Sequence, residues 1–114
     1  MPTINMYKKG GTDTAAVITS GTATGNYSLA TGLNPEATGY VSMATGYFTK
    51  AEGGQSFAAG FKTIARRDQA FVIGKFNKPN ESNGISDYFQ IGNGTAEDNR
   101  SNAFSVATNG TAYL

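Results

Sequence analysis

Small and apolar residues recur along this chain every seven positions, with a period of fourteen laid over the seven. Ala-x-Gly appears at Ala23/Gly25, Ala30/Gly32, Ala37/Gly39, Ala44/Gly46, Ala51/Gly53 and Ala58/Gly60. Ser28-Leu29-Ala30-Thr31-Gly32 is echoed by Ser42-Met43-Ala44-Thr45-Gly46 and Ser56-Phe57-Ala58-Ala59-Gly60, and Ala70-Phe71-Val72-Ile73-Gly74 ends the series. More polar members, such as Pro35-Glu36-Ala37-Thr38-Gly39, alternate with them. Self-similarity at a fixed period marks a stacked repeat. Strand side chains alternate between faces, so Ser28, Ala30 and Gly32 share one face and Leu29 and Thr31 the other. A face of Ser, Ala and Gly packs against something very near, here the opposite wall of the same coil. Two five-residue strands and two two-residue corners, Leu33-Asn34 and Tyr40-Val41 in the first coil, fill one turn. The pattern predicts a narrow roll of parallel strands, with glycine at each strand end for positive φ or close backbone approach.

The outward positions sort by half-coil. One half offers Leu29, Met43, Phe57 and Phe71, with Thr31, Thr45, Ala59 and Ile73 beside them. The other offers Glu36/Thr38, Lys50/Glu52 and Ile64/Arg66. Burying a large apolar side chain is worth roughly 1.5–3 kcal/mol, and a slim roll has no other core for this column. These eight apolar-side residues are therefore expected to face sister chains around a symmetry axis. The alternative is that the chain's own terminal segments cover them.

Outside the repeat, Thr3–Tyr7 reads as a short strand, and 13–22 as an irregular first coil, since terminal repeats are atypical. Residues 1–22 are thus an irregular cap, 23–74 the roll and 75–114 a small antiparallel meander. Strand-like runs are predicted at 69–77, 87–91, 103–106 and 111–114, separated by polar loops at 78–86 and 92–102. Asn109-Gly110 signals a type I′ hairpin. The abrupt start, and a stop inside a strand-like run, are what a piece of a longer chain would show.

Composition narrows the function. Charged residues are 15% of the 114 and the net charge is +1, against about 25% charged in ordinary domains. Near-neutral charge argues against a nucleic-acid partner, and no apolar run of about 18 residues argues for membrane insertion. Cysteine and histidine are absent, so thiolate metal sites and the usual nucleophile–base triads are unavailable. No metal or cofactor is expected. Carboxylates for glycoside cleavage would have to come from Glu81, Asp87, Glu97 or Asp98. The threonine ladders Thr31/Thr45 and Thr24/Thr38 are only two rungs deep, too small for an ice-matching surface. No phosphate-loop spacing follows Gly54–Gly60.

The Ser-x-Ala-x-Gly units at seven- and fourteen-residue spacing resemble the YadA-like head repeat of trimeric autotransporter adhesins, a left-handed β-roll. The motifs Gly74-Lys75-Phe76-Asn77, Gly92-Asn93-Gly94-Thr95, Arg100-Ser101-Asn102-Ala103-Phe104-Ser105-Val106 and Asn109-Gly110 resemble the run that follows such repeats in tail-fibre proteins of phages and prophages of Gram-positive bacteria. The likeness spans roughly residues 23–114. It departs at Arg67, which replaces a repeat glycine, and at Phe57 and Phe71, which are bulkier than the aliphatic residues common there.

The resemblance implies an all-β homotrimer: a non-enzymatic fibre segment for surface attachment, on a virion tail fibre or a cell surface. An adhesin head is the alternative reading and a trimeric tailspike glycan hydrolase a distant one. A fibre presents one weak site three times, which raises avidity without new contacts. The candidate contacts with a host-cell receptor, glycan or protein, are Tyr40, Tyr47, Phe48 and Phe61 at the corners and Asn80 and Asn83 in the loop. Arg100, Asn109 and Gly110 are expected to fix the cap, Arg100 by an ion pair or by bonds to backbone carbonyls.

Overall fold

The computed structural model describes residues 20–79 and 86–114. The expected Thr3–Tyr7 strand, most of the irregular first coil, and Asn80, Glu81 and Asn83 lie outside them. All the described elements are strands, and they form a β-solenoid of about five turns followed by a small antiparallel meander. Two sheets make its walls. The long wall begins with β2 (Leu29–Leu33), β4 (Met43–Tyr47), β6 (Phe57–Phe61) and β8 (Phe71–Lys75). The short wall consists of β1 (Thr22–Ala23), β3 (Glu36–Ala37), β5 (Lys50–Ala51) and β7 (Ile64–Ala65). Partners in both walls are parallel and fourteen residues apart, as in Leu29↔Met43↔Phe57↔Phe71 and Ala23↔Ala37↔Ala51↔Ala65.

The core is almost entirely alanine. Ala44 and Ala58 from the long wall meet Ala37, Ala51 and Ala65 from the short one, all fully buried. Methyl groups suffice because the walls are too close for anything larger. Serine closes the wide corner, with the Ser28 and Ser42 hydroxyls donating to the carbonyls of Gly25 and Gly39 at 2.6 and 2.7 Å.

The short wall departs from the predicted five-residue strands: each of its strands has only two residues. The carbonyl of Ala51 accepts from both Thr38 and Gly39, at 3.0 and 3.2 Å, and Ala65 does the same for Glu52 and Gly53. Sharing one acceptor turns the backbone out of the pleat just after each alanine, so residues 38–42 form a wide corner. The corners hold a second departure. Every seventh residue from Tyr27 to Phe76 is left-handed, with φ between 43° and 62°: Tyr27, Asn34, Val41, Phe48, Gln55, Lys62, Gln69 and Phe76. Only Asn34 is of a type that visits this region readily.

After Gly74 the long wall continues. β9 (Asp87–Asn93) pairs parallel with β8, its partners eighteen residues on rather than fourteen, as in Phe71↔Phe89. The first strand of the predicted antiparallel cap is therefore a fifth parallel rung. Antiparallel strand pairing begins on the other edge of β9, with β10 (Asn102–Ala107), and continues with β11 (Ala112–Tyr113). Their connection is not type I′, because Asn109 lacks positive φ; Gly110 alone is left-handed, at +90°. Gly110 donates back to the Ala107 carbonyl at 2.9 Å, giving a three-residue loop that ends on a left-handed glycine. The Asn109 side chain accepts from the Thr111 amide at 3.0 Å.

Candidate functional site

The sequence singles out the outer face of the long wall, and the fold assembles it from strands in strict register. Leu29, Met43, Phe57, Phe71 and Phe89 are consecutive partners along one column. Leu29, Met43 and Phe71 are 46, 38 and 44% exposed. The rings of Phe57 and Phe71 stack at 4.7 Å and 7°, Phe71 meets Phe89 at 5.8 Å, and Phe89 meets Phe104 edge-on at 6.0 Å. Beside it runs the column Thr31, Thr45, Ala59, Ile73 and Ile91, where the Thr31 hydroxyl donates to that of Thr45 at 2.9 Å. All eight residues expected at an axis thus lie on one outward surface. Phe89, Ile91 and Phe104 extend it into the meander. Sequence reasoning missed these three because the fourteen-residue period breaks before them, although the alternation Phe89-Gln90-Ile91 carries the signal.

A third column, Leu33, Tyr47 and Phe61, ends at Lys75. Tyr47 stacks on Phe61 at 4.7 Å and 2°, Phe48 tilts against Tyr47, and Phe76 meets Phe61 at 5.4 Å. Tyr47, Phe48 and Phe61 therefore form one partly exposed aromatic group. Tyr40 is elsewhere, edge-on to Tyr27 at 6.0 Å. The four candidate contact residues do not make a single site.

The outer face of the short wall is polar. Arg66 pairs with Glu52 at 3.0 Å, one coil apart. A groove of about 350 Å³ runs over this side, lined by Asn34, Glu36, Phe48, Lys50, Lys62, Ile64, Glu97 and Arg100. Lys62 bonds Glu97 at 2.6 Å and lies 5.2 Å from the Phe48 ring centre. The hydrogen bond from Lys62, then its charge, hold the Glu97 carboxyl below the ordinary carboxylate range. Arg100 donates to the carbonyls of Lys62 and Asn77 at 3.0 and 3.2 Å. Burial pulls its guanidinium down from the ordinary value, and the Glu97 charge opposes this.

Two of the carboxylates considered for hydrolysis, Asp87 and Glu97, are engaged separately. Asp87 is buried and accepts from Gln90 at 2.9 Å, whereas Glu97 is tied to Lys62 at the surface. Among the described residues no group of three or more Asp and Glu is placed to hold a metal ion, and no helix is long and apolar enough to cross a membrane. No protein-family model, curated protein or solved structure matches the chain.

Proposed function

We propose that this chain is a segment of a homotrimeric, non-enzymatic attachment fibre, a left-handed roll of YadA-like head repeats in which the long wall faces the three-chain axis. The observation that carries the reading is the outward column from Leu29 through Met43, Phe57, Phe71 and Phe89 to Phe104, in which Leu29, Met43 and Phe71 are exposed and the other three half-buried. At roughly 1.5–3 kcal/mol for each large apolar side chain buried, this column gives association a source of free energy that the alanine core does not provide within one chain. The polar short wall then faces water. The wall itself would serve a dimer as well; three is the number the repeat's resemblance implies. A phage tail fibre is the favoured setting, because the resemblance continues through the motifs after Gly74. The exposed group Tyr47, Phe48 and Phe61, with Tyr40 apart from it, offers rings to a glycan or protein receptor on a host cell.

Light scattering on the purified chain tests the assembly. The expected mass is three times the chain's 11.9 kDa. Phe57→Asp is expected to return it to one, since a carboxylate stranded in an apolar seam is costly. A wild-type mass of 11.9 kDa would overturn the proposal.

A further inference from the structure

A stacked coil ends with backbone groups that the next rung would have paired, and an open strand edge of this kind is a template for another chain. In the regular coils the amides of Glu36 and Lys50 donate to the carbonyls of Thr49 and Thr63, each at 2.8 Å. The next amide in this series belongs to Ile64, on the edge strand β7, and the next acceptor slot belongs to Asn77. Here the pattern changes from backbone to side chain. Ile64 donates at 2.8 Å to the side-chain oxygen Oδ1 of Asn77, and Nδ2 of the same amide donates to the Ile64 carbonyl at 2.9 Å. One side-chain amide thus occupies both outward-facing groups of the edge residue.

The plug is itself held in place. Asn77 Nδ2 also donates to Gln90 Oε1 at 2.6 Å, and Gln90 Nε2 donates to Asp87 Oδ2 at 2.9 Å. All three side chains are buried, and Asp87 Oδ1 has no partner. The device then recurs one step out. Lys78 is the fourteen-residue successor of Ile64, and the Asn102 side chain pairs with both its amide and its carbonyl, at 2.9 and 3.1 Å. Arg100 donates to two further carbonyls beside this edge, those of Lys62 and Asn77.

We infer that the side-chain amides of Asn77 and Asn102, with the Arg100 guanidinium, close the C-terminal edge of the short wall against strand addition by a second copy of the chain. The partner excluded is specific. β1 of another copy carries Ala23 in the slot that Ala65 fills in β7, so docking it there would continue the parallel register. Such a head-to-tail contact does not close and grows filaments. The closed edge confines association to other faces. This holds whatever number of chains meets at the long wall.

Asn77→Ala tests it by reopening the Ile64 amide and carbonyl. Light scattering across a hundredfold concentration range is expected to show mass rising above the wild-type assembly, with β-rich circular dichroism retained. Adding Ile64→Lys to that variant should suppress the growth, because an edge lysine opposes pairing and Lys50 already occupies the same column one coil earlier. A folded Asn77→Ala variant that keeps the wild-type mass at every concentration would overturn the inference. Should Asn77→Ala fail to fold, hydrogen exchange on the wild-type chain decides. The Ile64 amide is expected to be protected to within about tenfold of the Lys50 amide. Exchange as fast as in exposed loops would mean that the edge is open and the inference wrong.

Discussion

The two walls of each coil share a pitch, a register and an inward row of alanines, yet their outer faces and their ends differ. Among the described residues the long wall has seven strands, four of them the five-residue strands of the roll, and an apolar exterior; the short wall has four two-residue strands and a polar exterior. A single inward requirement, methyl-sized side chains, therefore leaves the outward side free to carry two different surfaces. The ends follow from the same difference. The long wall runs on into β9, β10 and β11, whereas the short wall stops at β7 and closes on side-chain amides. Both walls also use glycine, but under unequal constraints. Gly46 lies near the end of a long strand at φ +120°, whereas Gly53 follows a short one and is required only for space.

The largest effect comes from filling that space. A Cβ on Gly53 would lie 2.1 Å from the Arg67 carbonyl oxygen, a backbone atom of the next coil, whereas on its neighbour Gly54 the nearest atom is a side-chain oxygen of Asp68 at 3.6 Å. Gly53→Ala is expected to lower stability by at least about 3 kcal/mol, the upper end of overpacking costs, and Gly54→Ala to stay within about 0.5 kcal/mol of wild type. Denaturant melts of the two variants compare them directly; equal midpoints would remove close stacking as the reason for the glycine column. The same geometry explains Arg67. It occupies the glycine slot of the coil that contains β7, the edge strand of the short wall among the described residues. There its guanidinium donates to the Asp68 carbonyl at 2.8 Å and lies 5.0 Å from the centre of the Tyr88 ring.

Exchanging character between the walls should have a smaller effect on the fold and a selective one on assembly. Met43 and Lys50 both point outward, from β4 and from β5, the strand that follows it. Met43→Lys is expected to shift the assembly toward single chains by tenfold or more in the association constant, the equivalent of about 1.4 kcal/mol. Lys50→Met should leave it within about twofold, a few tenths of a kcal/mol. Sedimentation of both variants at matched concentration reads the difference. Equal responses would mean that the two exteriors are interchangeable and that the long wall has no privileged partner.

Much of this was legible in the residues, because a coil repeats its reasons. The alanine core, the fourteen-residue register and the sorting of Leu29, Met43 and Phe71 from Glu36 and Lys50 all follow from alternation alone. The length of the short strands was not legible. It depends on one carbonyl, that of Ala51, accepting two amides, and no residue type announces that. The left-handed corners were hidden for the same reason. Val41, Phe48 and Lys62 hold φ above 50° because stacking on the neighbouring coil over-determines them, against their own preference. Asn77 read as the last residue of the strand-like run 69–77, and only the register showed its side chain standing in the slot of the Thr49 and Thr63 carbonyls. Of the candidate contacts, sequence placed the aromatics at corners but could not say that Tyr47, Phe48 and Phe61 would cluster while Tyr40 stood apart.

The smallest effect lies where the roll and the meander meet, at Lys62 and Glu97. Lys62 belongs to a corner of the coil and Glu97 to the loop after β9, so their 2.6 Å bond ties the meander back to the roll. Glu97 is lowered from its ordinary 4.5 in the folded chain, so the unfolded chain binds that proton more readily. The contribution is therefore present above 4.5 and is lost as pH falls through the folded value. Because the Glu97 side chain is largely exposed to solvent, screening keeps the contribution slight. Carboxyl titration by NMR should place the Glu97 midpoint below 4.5 and bring it back toward 4.5 in Lys62→Met. High salt should do the same in the wild type. A midpoint unmoved by Lys62→Met would show that the loop is held by Arg100 alone, through its bonds to the Lys62 and Asn77 carbonyls, and that the surface ion pair adds nothing to the join.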